Sequence, residues 1–523
     1  MSTRRRPTLL IFLLFQSVYA LTSSGNVFRV PDEFEVYFQT EHLVDAGDLS
    51  VPQTLAIRQP VVVDGKVVGS QPMFFGKIGI DRKPYAPYGP LVAVLALPHH
   101  LLGRALARMA GVERAPLPGG IAWLVIVGGI TMLATATAAA LAVAGFHRAV
   151  VALGTPDREA FALACLLGGA TALWPYGTSF FSEAWQAAAF AWAAALLIEA
   201  RGTPTGAKSR VVAASALLAV AGLSKMTSLV FTPAFVVAAL AERSVGRRAR
   251  VETVIVLVLG IALAATVHVL WNLFRFNQPF DLGYDWSETV PQPPARAFLA
   301  SDVPRGLAVL LLSPGKSIVL WAPTLLLAAF GLRRFWRRER AIAAAVVCGT
   351  GVGLLFFAAY LFPEGGYSHG PRNLVPILPL LLLPAAGPDA RLWPRPLVAV
   401  CAAVGLAVAV LATAVSFLED QTLGGDLASR ARTVYYERVD PLPGRVWNRY
   451  RLTYVPFVGT LSSPGWLRSS SLGLGPDYFP LHLLQARRQL SNRATIPLWL
   501  IWAPPCVWLM AIGWCARALR RMS

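Results

Sequence analysis

The chain has 523 residues, 55% hydrophobic and only 14% charged, against about a quarter charged in an ordinary soluble domain. A soluble enzyme and a disordered chain are both excluded. The formal charge is +19, but the basic residues fall in short clusters between long apolar runs; this excludes a nucleic-acid partner and fits the cytoplasmic loops of a membrane protein. Of the 47 basic residues only six are Lys, at 66, 77, 83, 208, 225 and 316, so each Lys stands out. The five Cys all lie inside apolar runs, which implies no disulfide framework.

In chain order, apolar runs of spanning length fall at about 7–24, 120–145, 159–175, 180–199, 211–225, 227–241, 253–274, 306–330, 341–361, 373–388, 396–417 and 497–515. A further stretch, 86–109, decides the topology, because counting it would reverse the side of every later loop. Without it, 22 Lys and Arg fall in the N-terminus and the inside loops, and the block Arg333, Arg334, Arg337, Arg338, Arg340 stays inside. The stretch also carries His100, Arg104 and Arg108 at i, i+4, i+8, a polar stripe suited to a helix lying in the membrane interface. The first run, preceded by Arg4, Arg5 and Arg6 and ending in the cleavage-like Val18-Tyr19-Ala20, reads as a retained span rather than a signal peptide.

The predicted fold is therefore all-α, a polytopic membrane protein of about 12 transmembrane helices with both termini cytoplasmic. A transmembrane domain covers 1–417, including a first outer loop at 26–119. An extracytoplasmic segment follows at 418–496, and 497–523 form the last helix and a basic tail.

The first outer loop opens Val30-Pro31-Asp32-Glu33. Pro31 suits the first turn of a helix, and Asp32 and Glu33 suit its positive end. On their own these carboxylates are as well explained by capping as by catalysis. Their company favours catalysis. Asp81-Arg82-Lys83-Pro84-Tyr85-Ala86-Pro87-Tyr88 adds cations and aromatics on the same side, Glu183 ends a tight turn there, and Lys225, His369 and Arg372 stand at the rims of later spans. Charges at such positions are costly and mark functional sites. Carboxylates beside cations suit attack on a membrane-held phosphate ester: a carboxylate takes the proton of an incoming hydroxyl, and Lys and Arg neutralise the leaving phosphate.

These residues resemble the GT-C glycosyltransferases, and among them the aminoarabinose transferase and protein O-mannosyltransferase branch. The likeness is carried by Pro31-Asp32-Glu33, Tyr37, Glu41, Leu43 and Gly47-Asp48, then by Lys83-Pro84 and Gly222-Leu223-Ser224-Lys225, and covers about residues 1–240. It implies a GT-C-like fold with interfacial helices in the first outer loop. It also implies inverting sugar transfer from a polyprenyl-phosphate donor to a hydroxyl acceptor of the cell envelope, a lipid, glycan or protein. The site would face the outside of the cytoplasmic membrane, among membrane lipids. Asp32 would be the base, with Glu33 beside it. Lys83 and Lys225 would hold the donor phosphate, with Arg82, Tyr85, Tyr88, His369 and Arg372 in the substrate site. No cofactor is demanded by the residues themselves, although Glu183 is the candidate ligand for the divalent metal that some members hold. Where the aminoarabinose branch has an acidic residue directly before the Lys, this chain has Arg82.

Several weaker signals remain. Lys316, at a Pro-Gly break in a span, is a second candidate for facing the donor; its Gly-Lys-Ser lacks the other elements of a P-loop. The aromatics after Arg275 suit an interface belt. Trp447, Trp466, Tyr435, Tyr436 and Tyr450 in 418–496 could receive an acceptor. The competing class is a transporter or flippase of lipid-linked or small substrates, against which stand the long outer loops and the lack of an internal repeat.

Overall fold

A computed structural model of the chain describes residues 5–24, 30–56, 58–63, 66–72, 74–114, 121–202, 205–284, 298, 303–313, 315–360, 363, 365, 368–414, 478–480, 483–484, 487 and 497–520. Helix α1 (Arg5–Leu21) leads to α2 (Pro31–Ala46), after which two short antiparallel hairpins depart from the all-α expectation: β1 (Arg58–Val63) with β2 (Lys66–Pro72), and β3 (Lys77–Ile78) with β4 (Pro84–Tyr85). Then follow α3 (Leu91–Met109), α4 (Ile121–Ala152), α5 (Asp157–Gly169), α6 (Leu173–Gly177), α7 (Glu183–Gly202), α8 (Ala207–Ser224), α9 (Pro233–Ala241) and α10 (Arg247–Phe276). The second half contains α11 (Val303–Leu312), α12 (Ile318–Trp321), α13 (Leu325–Arg338), α14 (Arg340–Ala358), α15 (Leu378–Leu381), α16 (Arg395–Ala414) and α17 (Leu498–Arg520). Most of the 418–496 segment, with the aromatics singled out above, lies outside the described residues.

The chain is a multi-pass membrane protein. Among the described residues, 6 helices are long and apolar enough to cross a membrane: α4, α8, α10, α14, α16 and α17. The shorter elements show why the expected twelve do not all appear as single long helices. The 306–330 run breaks at the Gly315 turn and again at Pro323 into α11, α12 and α13, and Ser317 caps α12 by accepting from the Leu320 N–H. The 373–388 run carries Pro376, Pro379 and Pro384, each of which removes a helical donor, and it forms 3-10 turns around a four-residue α15. At 227–241 a 3-10 turn over Met226–Phe231 precedes the nine-residue α9.

Helices α4 and α7 are Ala-rich and buried along most of their length. Small residues let helix backbones approach closely in apolar surroundings, and α4 takes α1, α3, α5 and α7 around it. One core packs Phe15, Tyr19, Phe146, Phe190, Phe231 and Phe357. A second gathers Phe34, Tyr37, Trp123, Phe180 and Phe479 around α2 and α3.

Helix α3 is the stretch that decided the topology. It runs antiparallel along α4, with Gly103 against Val127 and His100 Nδ1 3.1 Å from Thr131 Oγ1. Along the polar stripe read as suited to an interfacial helix, His100 is fully buried, Arg104 pairs with Asp45 at 2.6 Å, and Arg108 is exposed. Against α4 the ring's Nδ1 finds a partner in Thr131.

Helices α8 and α10 meet at Gly260, where any Cβ would run into the Ser215 carbonyl oxygen and hydroxyl. Gly260→Ala should therefore push these helices apart and cost about 1–3 kcal/mol, as overpacking does. A lowered thermal midpoint of the purified protein in detergent would register it, and an unchanged midpoint would refute the close crossing.

Candidate active site

The sequence seats Asp32 by local rules. Pro31 occupies the first turn of α2, Asp32 and Glu33 follow in that turn, and Gly47 at φ 76° closes the far end with its N–H on the Leu43 carbonyl. The first two turns then send three carboxylates in three directions. Glu33 Oε1 accepts from the Phe180 N–H at 2.8 Å and fixes the turn before α7. Glu35 Oε1 accepts from the Phe75 N–H at 2.8 Å and fixes the loop between the hairpins. Asp32 Oδ1 accepts from Arg372 Nη2 at 2.8 Å.

Arg372 is the hinge of a larger set. Its Nε donates to Glu183 Oε1 at 2.8 Å, and Lys225 Nζ reaches the same oxygen at 2.7 Å. Glu183 is 1% exposed, so its charge is held wholly by these two cations. The Arg372 guanidinium also lies over the Phe181 ring, 4.1 Å from its centroid. Lys225 can reach inward because α8 ends at Ser224 and the chain turns extended at φ −160°. Residues from α2, α7, the end of α8 and the segment before α15 thus form one ion network.

A cleft of about 740 Å³ opens along this network, lined by Asp32, Lys225 and Arg372 on one side. On the other, α10 contributes His268, Asn272 and Arg275, and Tyr88 and Tyr284 complete the lining. Arg275 is 2% exposed, donates to the Asn272 side-chain oxygen at 2.8 Å and to the Ala86 carbonyl, and stacks on Trp271 and Phe276. Among the described residues no carboxylate is within ion-pair distance of it. At the cleft's edge Gly89 is required for a close approach, since a Cβ there would lie 2.5 Å from the Leu223 carbonyl oxygen.

The structure thus brings together Asp32, Glu183, Lys225 and Arg372, with Tyr88 on the lining. The other predicted site residues lie elsewhere. Glu33 is buried on the Phe180 amide and does not line the cleft. Lys83 is half-exposed and pairs with Asp48 at 2.8 Å; Arg82 stands in a turn at φ 64°; Tyr85 donates to Asp81 at 2.7 Å. His369 is buried beside Trp321, its carbonyl accepting from the Tyr176 hydroxyl at 2.7 Å. Lys316 is also buried and donates to the Ser368 carbonyl at 2.7 Å. For a divalent metal, no group of three His, Cys, Asp or Glu is present among the described residues. One Glu183 oxygen is engaged by two cations, and the other has no hydrogen-bond partner among the described residues.

The α10 residues were not singled out from sequence as a set. Their signal is spacing: His268, Asn272 and Arg275 fall at i, i+4, i+7 in an otherwise apolar helix and continue the buried stripe of Leu257, Gly260 and Ala264.

Two outcomes follow. Replacing Glu183 by Gln leaves Lys225 and Arg372 as buried cations without their shared anion. The fold should lose about 3 kcal/mol, read as a lower unfolding midpoint, and a neutral result would show that the network is not anchored there. For Asp48, burial works upward, but Lys83, Ser50 and the nearby His42 outweigh it and hold the carboxyl at about 2, below the ordinary 3.8. A depressed carboxyl adds stability above its ordinary value and loses it as pH falls from about 4 toward 2. Amide exchange at Val51, which donates to the Pro84 carbonyl, should accelerate over that window in the native chain and not in Asp48→Asn.

No family model matches the chain, and no curated protein matches it. Solved structures are similar. ArnT from Cupriavidus metallidurans, bound to undecaprenyl phosphate, matches at 13% identity with a TM-score of 0.40, over 97% of this chain and 75% of that one. The archaeal oligosaccharyltransferase AglB from Archaeoglobus fulgidus, in complex with an inhibitory peptide and a dolichol-phosphate, matches at 12% identity with a TM-score of 0.50, over 85% of this chain. This chain spans 61% of AglB's length. At these identities the AglB likeness is one of fold.

Proposed function

We propose that this protein is a GT-C membrane glycosyltransferase. It would move a sugar from a polyprenyl-phosphate-linked donor to a hydroxyl acceptor of the cell envelope, at the outer face of the cytoplasmic membrane. The observation that carries the reading is the ion network at the cleft, in which Arg372 joins Asp32 to Glu183 and Lys225. The fold likeness to AglB, solved with a dolichol-phosphate, supports a lipid-linked phosphate as the ligand.

In this reading Asp32 is the base. It is 21% exposed on the cleft wall and keeps one oxygen on Arg372, which fixes its direction. Asp32 takes the proton of the acceptor hydroxyl as that oxygen bonds to the anomeric carbon. The bond from that carbon to the phosphate oxygen breaks on the opposite side, so configuration inverts. Its electron pair stays on the phosphate, where Lys225, Arg275 and Arg372 neutralise the growing charge. The products are a glycoside, polyprenyl phosphate and a protonated Asp32. The three cations supply the neutralisation, and Glu183 serves as the anchor of two of them. Lys83 and Arg82 would meet the lipid phosphate only on approach, from the loop held by Asp48.

Asp32→Asn keeps the shape of the side chain and removes the base, so transfer should fall by roughly 10²–10⁴-fold. Assayed with synthetic polyprenyl-phosphate sugars in proteoliposomes, the variant should insert and elute like the native chain. Undiminished transfer in Asp32→Asn would remove the base from the scheme.

A further inference from the structure

The cleft wall formed by α10 contains a group that the transfer scheme does not use. His268 lies 7% exposed on that wall. Its Nε2 is 2.8 Å from the Gly222 carbonyl oxygen, an acceptor only, so Nε2 carries the hydrogen. In the neutral imidazole Nδ1 is then a bare lone pair, and it has no hydrogen-bond partner among the described residues. Among the described residues no carboxylate forms an ion pair with the ring, and Arg275 and Lys225 share the same cleft. Neighbouring polar groups are already engaged: Asn272 bonds Arg275 and the Pro279 carbonyl, and the Ser224 hydroxyl donates to the Val220 carbonyl.

An acceptor in this place selects by chemistry. A phosphodiester presents only acceptor oxygens and gains nothing from Nδ1. A hydroxyl does gain. Gly222 is three residues before Lys225 and His268 is two helical turns before Arg275, so the ring is flanked by the cations assigned to the phosphate. A sugar joined directly to that phosphate would share the cleft that His268, Lys225, Arg275 and Arg372 line.

We propose that His268 is a specificity residue that accepts a hydrogen bond from a hydroxyl of the donor's sugar. This assignment rests on the glycosyltransferase reading and deepens it. Loss of one such bond, with the buried partner left unpaired, weakens binding by roughly tenfold or more.

The test uses the full chain in nanodiscs and two kinds of ligand: C55 polyprenyl phosphate without a sugar, and the same lipid carrying mannose, glucose or arabinose. The native chain should bind at least one sugar-bearing lipid more tightly than the bare lipid. His268→Leu should lose that preference by about tenfold while bare-lipid affinity stays within about twofold. His268→Gln, which keeps an acceptor, should retain part of the preference and guards against misfolding in the Leu variant. A preference that survives in both variants overturns the proposal, as does a parallel fall in bare-lipid affinity. An effect confined to the acceptor's KM would move the hydroxyl to the acceptor and overturn the sugar assignment. A native chain that fails to bind even the bare lipid overturns the glycosyltransferase reading itself, and this inference with it.

Discussion

Everything at the site depends on one oxygen. Glu183 Oε1 accepts from Lys225 and from Arg372 in a place where the carboxylate is 1% exposed. A buried carboxylate without partners is costly, and two cations so close to one another would repel without it. The three are therefore stable only together, and their union draws the head of α7, the end of α8 and the segment before α15 to one point. Buried ion pairs seldom add much net stability compared with apolar packing. What this one supplies is position, since the Nη2 of the same Arg372 guanidinium is what meets Asp32.

Helix α2 is the second organising element. Its acidic residues resemble an ordinary charged surface helix in sequence, yet Glu33, Glu35 and Glu41 are buried. Each has a donor brought by another part of the chain: the Phe180 amide, the Phe75 amide, and Gln53 with Arg114. Satisfied in this way, the helix is pinned on several sides, and Asp32 inherits a fixed direction. The α10 wall adds Arg275, whose guanidinium is supported by aromatic faces and neutral oxygens rather than by a carboxylate.

Much of this was legible in the residues, for reasons that differ from group to group. Glu183, Lys225 and Arg372 each stood out because a charge at the rim of an apolar run is costly enough to need a cause. Pro31 marked the start of α2. What the residues could not convey was which way a loop turns. Lys83 follows Asp81 closely in sequence, but Asp48 holds it outside the cleft, and nothing local reveals that choice. Glu33 beside Asp32 was inseparable from it by type, and only the Phe180 amide tells them apart. The proline-broken runs near 315 and 376 passed as long spans because hydropathy counts apolar atoms and is blind to missing backbone donors.

The bond between Arg372 and Asp32 joins residues 340 positions apart, and this bears on the order in which the protein is made. At about 5–20 residues per second, the ribosome needs roughly 20 to 70 s after releasing Asp32 before Arg372 exists. Lys225, only 42 positions from Glu183, arrives within roughly 2 to 8 s on the same clock. While the 147 residues from Lys225 to Arg372 are added, Lys225 is the one of the two cations that the newborn chain can offer Glu183. The ion network of the cleft can close only when the second half of the membrane bundle delivers its arginine.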